Sequence, residues 1–107
     1  MQILTHIKRG IVAGSIKNGD ELPSRRTLSA LLGVNPNTVQ KAYRILEDEG
    51  LVQSHSGAKS YMLLTQEATA QVRGELLHSD ADNIVSAMRQ MGLSLEEAID
   101  LIKSHWN

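Results

Sequence analysis

The 107-residue chain contains no cysteine and only two prolines. The absence of cysteine excludes a disulfide framework and a metal site built on thiolates, and it agrees with a reducing, cytoplasmic setting. No apolar run approaches the roughly 18 residues that a membrane-spanning helix needs, and the N-terminus has no signal-peptide pattern. We therefore expect a cytoplasmic protein of one domain, or of one domain with an extension.

Patterns that support catalysis or cofactor binding are also missing. The four histidines are scattered, and no two lie three or four residues apart, as metal ligands on one helix would. The chain has no phosphate-binding loop, and it has no nucleophile with a plausible base and orienting group. We expect neither an enzyme nor a bound cofactor or metal.

Charge is distributed unevenly along the chain. Residues 1–62 hold eight Lys or Arg against five Asp or Glu, a balance of +3. Residues 63–107 hold three Lys or Arg against seven Asp or Glu, a balance of −4. The net charge of −1 for the whole chain is therefore the sum of a basic part and an acidic part. A basic first part and an acidic second part indicate two segments with different roles, although a chance asymmetry stays open.

The first part of the chain predicts three helices and a hairpin. Apolar residues at helical spacing predict an amphipathic helix over residues 2–14. A second helix has its N-cap at Ser24 and its stop at Gly33. After a short turn, Asn35 caps a third helix that begins with Pro36 and ends near Glu49.

Two short apolar runs, 51–55 and 60–64, predict the hairpin strands. This order of elements is a winged helix-turn-helix. The predicted fold class is therefore mainly α with a small β-hairpin, followed by a short helical C-terminal dimerisation segment. We divide the chain into a winged helix-turn-helix DNA-binding domain (1–64) and a helical tail for dimerisation or effector binding (65–107).

The third helix is expected to have a polar side and an apolar side. At about 100° per residue, four polar residues share one side: Asn37, Gln40, Lys41 and Arg44. The opposite side carries Val39, Ala42, Tyr43 and Leu46. On the polar side no carboxylate appears until Asp48, and its amides and cations suit contacts with base edges and phosphates. An ordinary solvated face usually mixes Glu with Lys, so this composition favours a surface that reads DNA.

Other residues in the first part are candidates for contacts with the DNA backbone. Ser24, Arg25 and Arg26 open the second helix, where free N–H groups and guanidinium groups suit a phosphate. The candidates in the hairpin are Ser56, Gly57 and Lys59. An ordinary N-cap with surface arginines, and a simple exposed turn, stay open as alternatives.

The tail is expected to be helical. We favour one helix over residues 66–91, and the alternative is a break within 78–82. A capping box formed by Ser94 and Glu97 then starts a final helix.

The tail holds more apolar residues than packing on one small winged helix would cover, which favours a homodimer over that alternative. The candidate dimerisation residues are Val72, Leu76, Leu77, Ile84, Val85, Met88, Met91, Leu95, Ile99, Ile102 and Trp106. A dimer would bind an operator with two-fold-related half-sites.

A family resemblance covers residues 22–52, which read LPSRRTLSALLGVNPNTVQKAYRILEDEGLV. This run closely resembles the DNA-binding domain of the GntR family of bacterial transcription regulators. The Asn-Pro-Asn-Thr-Val run and the short tail resemble its YtrA-like branch. The resemblance implies a repressor whose contacts with operator DNA come from Arg26, Asn37, Thr38, Gln40, Lys41 and Arg44. The hairpin keeps one glycine of the usual Arg-Gly-x-Gly pattern and lacks its arginine.

Three interpretations of function follow. The first is a homodimeric, sequence-specific transcription regulator that binds double-stranded operator DNA. The second is a protein-interaction module on a winged-helix scaffold that does not read DNA. The third is a regulator that also responds to a small-molecule effector at the dimer interface, because a tail of this size is too small to enclose a ligand by itself.

Overall fold

The computed structural model describes residues 2–54 and 59–107, and these residues form five helices and one antiparallel pair of strands. The helices are α1 (Gln2–Ala13), α2 (Arg25–Leu32), α3 (Pro36–Asp48), α4 (Gln66–Gln90) and α5 (Leu95–His105). The strands are β1 (Val52–Ser54) and β2 (Ser60–Met62). This order confirms the predicted winged helix-turn-helix followed by a helical segment. None of the described helices is both long enough and apolar enough to span a membrane.

The chain forms two compact units, Met1–Gly74 and Glu75–Asn107. Among the described residues, every buried apolar side chain lies in the first unit. The first turns of α4 belong to that unit too, and they bury Val72. The division of function between residues 64 and 65 stays a prediction, since it concerns the role of each segment.

Helix α3 lies at the centre of the first unit and contacts α1, α2 and β1. Val39, Ala42 and Leu46 on its apolar side are all 0% exposed. Burial of a Val or Leu side chain contributes roughly 1.5–3 kcal/mol, so this side holds α3 firmly in one rotation about its axis. The opposite side of the helix is thereby left to solvent.

Only three residues separate α2 from α3. Gly33 ends α2 in the left-handed conformation, with φ 65°, and its N–H donates to the carbonyl of Ser29. The hydroxyl of Ser29 donates to the carbonyl of Val34. Asn35 then caps α3, because its Oδ1 accepts from the backbone N–H of Asn37 at 2.8 Å. These local bonds confirm the predicted turn and its caps.

The hairpin pairs Val52 with Met62 and Ser54 with Ser60. A further piece of chain, which precedes α2, lies along the other edge of β2. The backbone N–H of Met62 donates to the carbonyl of Asp20 at 2.8 Å, and that of Leu22 donates to Ser60 at 2.9 Å. The hairpin is therefore bonded to the segment that leads into α2.

The helices of the tail agree with the favoured interpretation. Helix α4 is continuous through residues 78–82, so the alternative of a break there is wrong. It begins after Thr65, whose Oγ1 accepts from the backbone N–H of Ala68 at 3.0 Å. Helix α5 starts with the predicted capping box, in which Ser94 and Glu97 each accept the other's backbone N–H at 3.2 Å.

A partly buried ion pair joins α1 to the end of α3. Lys8 is only 7% exposed, and its Nζ lies 3.0 Å from Oε2 and 3.1 Å from Oε1 of Glu49. Glu49 is the C-cap of α3 and keeps access to water. Positive charge near the C-terminal end of a helix is also favoured by the helix dipole.

The two partners of this pair are expected to respond unequally to substitution. Glu49→Ala removes the carboxylate that lies 3.0 Å from the buried ammonium, and we expect a loss of about 1–3 kcal/mol in the free energy of unfolding. In Lys8→Met the stem of the side chain stays packed and Glu49 still reaches water, so we expect less than about 1 kcal/mol. Urea denaturation of both variants and of the double variant measures the difference. Equal losses, or the reverse order, would contradict this account.

Candidate DNA-binding surface

The start of α2 places Ser24, Arg25 and Arg26 at the surface. Ser24 is the N-cap, and its Oγ accepts from the backbone N–H of Thr27 at 3.1 Å. The hydroxyl of Ser24 also donates to the hydroxyl oxygen of Thr27, with 2.8 Å between the two oxygens. The Ser24 hydroxyl therefore caps the N-terminus of α2, while the side chains of both arginines are exposed to solvent.

The polar side of α3 is open along most of its length. Asn37, Lys41 and Arg44 are exposed, and Thr38 is half-buried. Asn37 and Lys41 lie in the first two turns, close to the short turn that leads in from α2. The three exposed residues form a stripe of one amide and two cations that faces away from the core.

Gln40 departs from the position expected of it. It is half-buried, and its Oε1 is enclosed without a hydrogen bond from any described residue. The helical projection explains the difference. Gln40 lies about 60° from Asn37 toward the buried side, where neighbouring elements reach over it. In this structure its side chain belongs to a cleft beside the stripe and not to the stripe itself.

This cleft has a volume of about 350 Å³ and lies between the start of α2, one flank of α3 and the hairpin. Its polar lining comes from all three elements, namely Ser24, Arg25, Gln40, Tyr43, Arg44, Glu47, Ser54 and Ser60. The cleft thus brings the phosphate candidates of α2 beside the reading candidates of α3. It also includes residues that the sequence analysis did not select, among them Tyr43 and Glu47.

Tyr43 lies on the apolar side of α3, as expected, but its hydroxyl reaches the cleft. The side chain is half-buried, and its O–H donates to the carbonyl oxygen of Pro23 at 2.7 Å. Burial raises the pKa of Tyr43 to about 12, and the nearby charge of Arg25 opposes that rise. The phenol is protonated at neutral pH, as an ordinary tyrosine is, and the raised pKa extends this protonated state to higher pH. Its contribution to stability is complete below its ordinary pKa of about 10 and is lost as the pH rises through about 12.

The sequence contains one indication of this role for Tyr43, namely a hydroxyl group on the otherwise apolar side of α3. Buried tyrosines usually direct the hydroxyl to a hydrogen-bond partner. The sequence alone did not identify Pro23 as that partner, because the two residues are 20 positions apart.

In the hairpin, Lys59 is exposed and its Nζ lies 3.7 Å from Oε1 of Glu21. Such a solvent-exposed pair contributes about 0–1 kcal/mol, so Lys59 exchanges this partner for another anion at little cost. Ser56 and Gly57, the other two candidates in the hairpin, lie outside the described residues. Within those residues, no three His, Asp or Glu side chains are grouped so as to hold a metal ion.

The candidate dimerisation residues divide into two groups. Val72 is 3% exposed, because it is part of the core of the first unit, and it is not available to a second chain in this structure. Leu76 and Met88 are half-buried. The others are exposed: Leu77, Ile84, Val85, Met91, Leu95, Ile99, Ile102 and Trp106. Leu101, which the sequence analysis did not select, is exposed as well.

Comparison with known proteins gives a consistent result. Residues 1–61 match the family described as bacterial regulatory proteins, gntR family. The HTH-type transcriptional regulator YhcF of Bacillus subtilis is 30% identical over 104 residues, which cover 97% of this chain and 86% of YhcF. The HTH-type transcriptional repressor YtrA of the same organism is 33% identical over 104 residues, covering 95% of this chain and 79% of YtrA.

A solved structure shows the same relationship. A GntR family transcriptional regulator from Listeria monocytogenes superimposes with a TM-score of 0.83 at 31% identity, covering 96% of this chain and 90% of the other. The match thus includes the helical tail as well as the winged helix. The chain belongs to the GntR family of bacterial regulatory proteins and is of the YtrA-like type.

Proposed function

We propose that this chain is a sequence-specific DNA-binding transcription regulator. The observation that carries the proposal is the exposed stripe of Asn37, Lys41 and Arg44 on α3, along which no carboxylate lies before Asp48 at the end of the helix. An α-helix fits the major groove, where arginine and lysine can donate to guanine and an amide can pair with adenine. Arg25 and Arg26 at the start of α2 lie at the adjacent position where contacts with phosphate are expected.

The regulator acts as a homodimer in this proposal. Eight of the predicted residues and Leu101 expose large apolar side chains in the second unit, and none of the residues of α5 is buried. With Leu95 at zero on a helical projection, Ile99, Ile102 and Trp106 fall within about 40° of it. Trp106 alone is 82% exposed. Exposed apolar stripes of this kind mark interfaces between proteins.

A second copy of the chain is the simplest partner for this surface. A two-fold axis would then set two α3 helices on two half-sites of one operator. Repression is the favoured outcome of binding, since YtrA of Bacillus subtilis, at 33% identity, is named a repressor.

Selection of bound sequences from a random duplex library tests the central proposal. We expect the wild-type chain to enrich a two-fold-related sequence and to bind it in a salt-dependent manner. Fluorescence anisotropy then compares the selected duplex with a scrambled duplex of the same composition. Failure to enrich any sequence would overturn the proposal.

Arg44→Ala should weaken binding to the selected duplex by about 5- to 150-fold if Arg44 reads a base, with a smaller effect on the scrambled duplex. If Arg44 contacts only a phosphate, affinity should fall alike on both, and the salt slope should decrease by about one. Arg89→Ala is the matched control, since Arg89 is an exposed arginine of α4 outside this surface. Unchanged binding of Arg44→Ala to both duplexes would exclude either role.

Lys41→Glu separates a DNA reader from a protein-interaction module. The new carboxylate would lie in the stripe and face the phosphates, so we expect binding to the selected duplex to be abolished at physiological salt. Circular dichroism and thermal melting should show an intact fold, because Lys41 is exposed. If operator binding survives the charge reversal, the stripe is not the reading surface.

Introduction of a charge into the apolar stripe of α5 tests the dimer. We expect wild-type chain at micromolar concentration to sediment as a dimer, and Ile102→Lys to sediment as a monomer with much weaker operator binding. The matched control is Ser104→Lys, which adds the same single positive charge on the other side of α5 and should remain dimeric. A monomeric wild-type chain, or a dimeric Ile102→Lys, would contradict the proposed interface.

A further inference from the structure

A side-chain hydrogen bond connects α3 to the segment that leads into α2, the two parts of the chain that the proposed function assigns to DNA. The O–H of Tyr43 on α3 donates to the carbonyl oxygen of Pro23, with 2.7 Å between the two oxygens. Pro23 is the residue immediately before Ser24, the N-cap of α2. Both residues line the cleft, so the bond joins the helix with the reading stripe to the start of the helix with the two arginines.

Each of the two bonded residues is close in the chain to residues that are proposed to contact DNA. On α3, Tyr43 is next to Arg44 in the chain and three residues after Gln40. On the other side, the carbonyl of Pro23 belongs to the peptide group that joins Pro23 to Ser24, and Arg25 follows directly. A shift of that peptide group would move the phosphate candidates of α2 relative to the stripe on α3.

The segment before α2 is also held from its other end. The N–H of Leu22 donates to Ser60 and the carbonyl of Asp20 accepts from Met62, so residues 20–22 are bonded to β2. Proline has no N–H, so Pro23 has only its carbonyl with which to form a backbone hydrogen bond. Tyr43 supplies the donor for that carbonyl. The hydroxyl thus joins α3 to a segment that already connects the hairpin to α2.

Two properties suit the hydroxyl to this task. The phenol is protonated at neutral pH, as any tyrosine with a pKa of 10 or above is, so the donor is present. The ring is half-buried against the first unit, so it has less rotational freedom than a fully exposed side chain. A phenylalanine in its place would retain the ring and its packing but would lack the donor.

We propose that Tyr43 is a positioning residue for operator recognition, whose hydroxyl sets the spacing between the phosphate-contacting start of α2 and the base-reading stripe of α3. The proposal rests on the function proposed above. Specific binding requires base contacts and phosphate contacts to be made together, in one register. Non-specific binding depends mainly on charge and tolerates a change in that spacing. The hydroxyl therefore contributes to discrimination between sequences more than to attraction for DNA.

Tyr43→Phe tests this role directly. Anisotropy titrations would use the duplex that the wild-type chain selects from a random library and a scrambled duplex of the same composition, at several salt concentrations. We expect affinity for the selected duplex to fall by about 3- to 10-fold, a loss of the size of one hydrogen bond. Affinity for the scrambled duplex should change by less than about 2-fold, and the salt slope should stay the same because no cation is removed.

A loss of stability alone would not give this pattern. All titrations are made at one temperature, well below the melting temperature of every variant, so that each protein is folded and the affinities can be compared. Tyr61→Phe is the matched control, because it removes the other tyrosine hydroxyl of the chain, from β2, and leaves the bond to Pro23 in place. We expect it to keep the wild-type ratio of affinities for the two duplexes.

The outcomes separate this inference from the proposal on which it rests. If wild type discriminates between the duplexes and Tyr43→Phe discriminates equally well, the positioning role is wrong and the function stands. A parallel fall on both duplexes likewise overturns the positioning role, since it would indicate a contact with phosphate. A wild-type chain that selects no sequence overturns the proposed function and this inference with it.

Discussion

Burial of one side of α3 is the constraint on which the other features of the first unit depend. Val39, Ala42 and Leu46 have no contact with solvent, and α1, α2 and β1 all contact this helix. Rotation of α3 about its axis would expose these side chains and bury cations. The polar stripe is open to solvent because the apolar side is so completely enclosed. The ion pair between Lys8 and Glu49 adds a connection at the far end of the same helix.

The proposed DNA recognition also requires that α2 and α3 keep a fixed position relative to each other. Contacts between residues close in the chain and between residues distant in the chain both contribute to that position. Gly33 and Asn35 limit the connection between α2 and α3 to three residues, which sets how α3 follows α2. At the other end of α2, the chain is bonded to β2, and Tyr43 bonds α3 to Pro23. In the proposed function, these bonds around the cleft would bring phosphate contacts and base contacts into one register.

The second unit presents a different kind of chemistry. Its apolar side chains are exposed, and residues 63–107 carry a balance of −4. An acidic segment is repelled by phosphates, so it is better suited to contact protein than DNA. The proposed homodimerisation through α4 and α5 would account for the exposed apolar side chains and for an operator with two-fold symmetry. Val72 is excluded from that interface because the core of the first unit already covers it.

The sequence by itself determined the features that depend on neighbouring residues. The caps at Asn35 and Ser94, the stop at Gly33 and the two sides of α3 all follow from local hydrogen bonding or helical periodicity, and the structure has them where the sequence predicted them. Whether the exposed stripe reads DNA remains a proposal. Only the tertiary structure decided that Gln40 turns into the cleft, that Tyr43 bonds to Pro23 and that Val72 is buried in the first unit. These contacts join residues that are distant in the chain. Helical periodicity predicts only the direction in which a side chain leaves its own helix, so it cannot predict which distant residue the side chain meets.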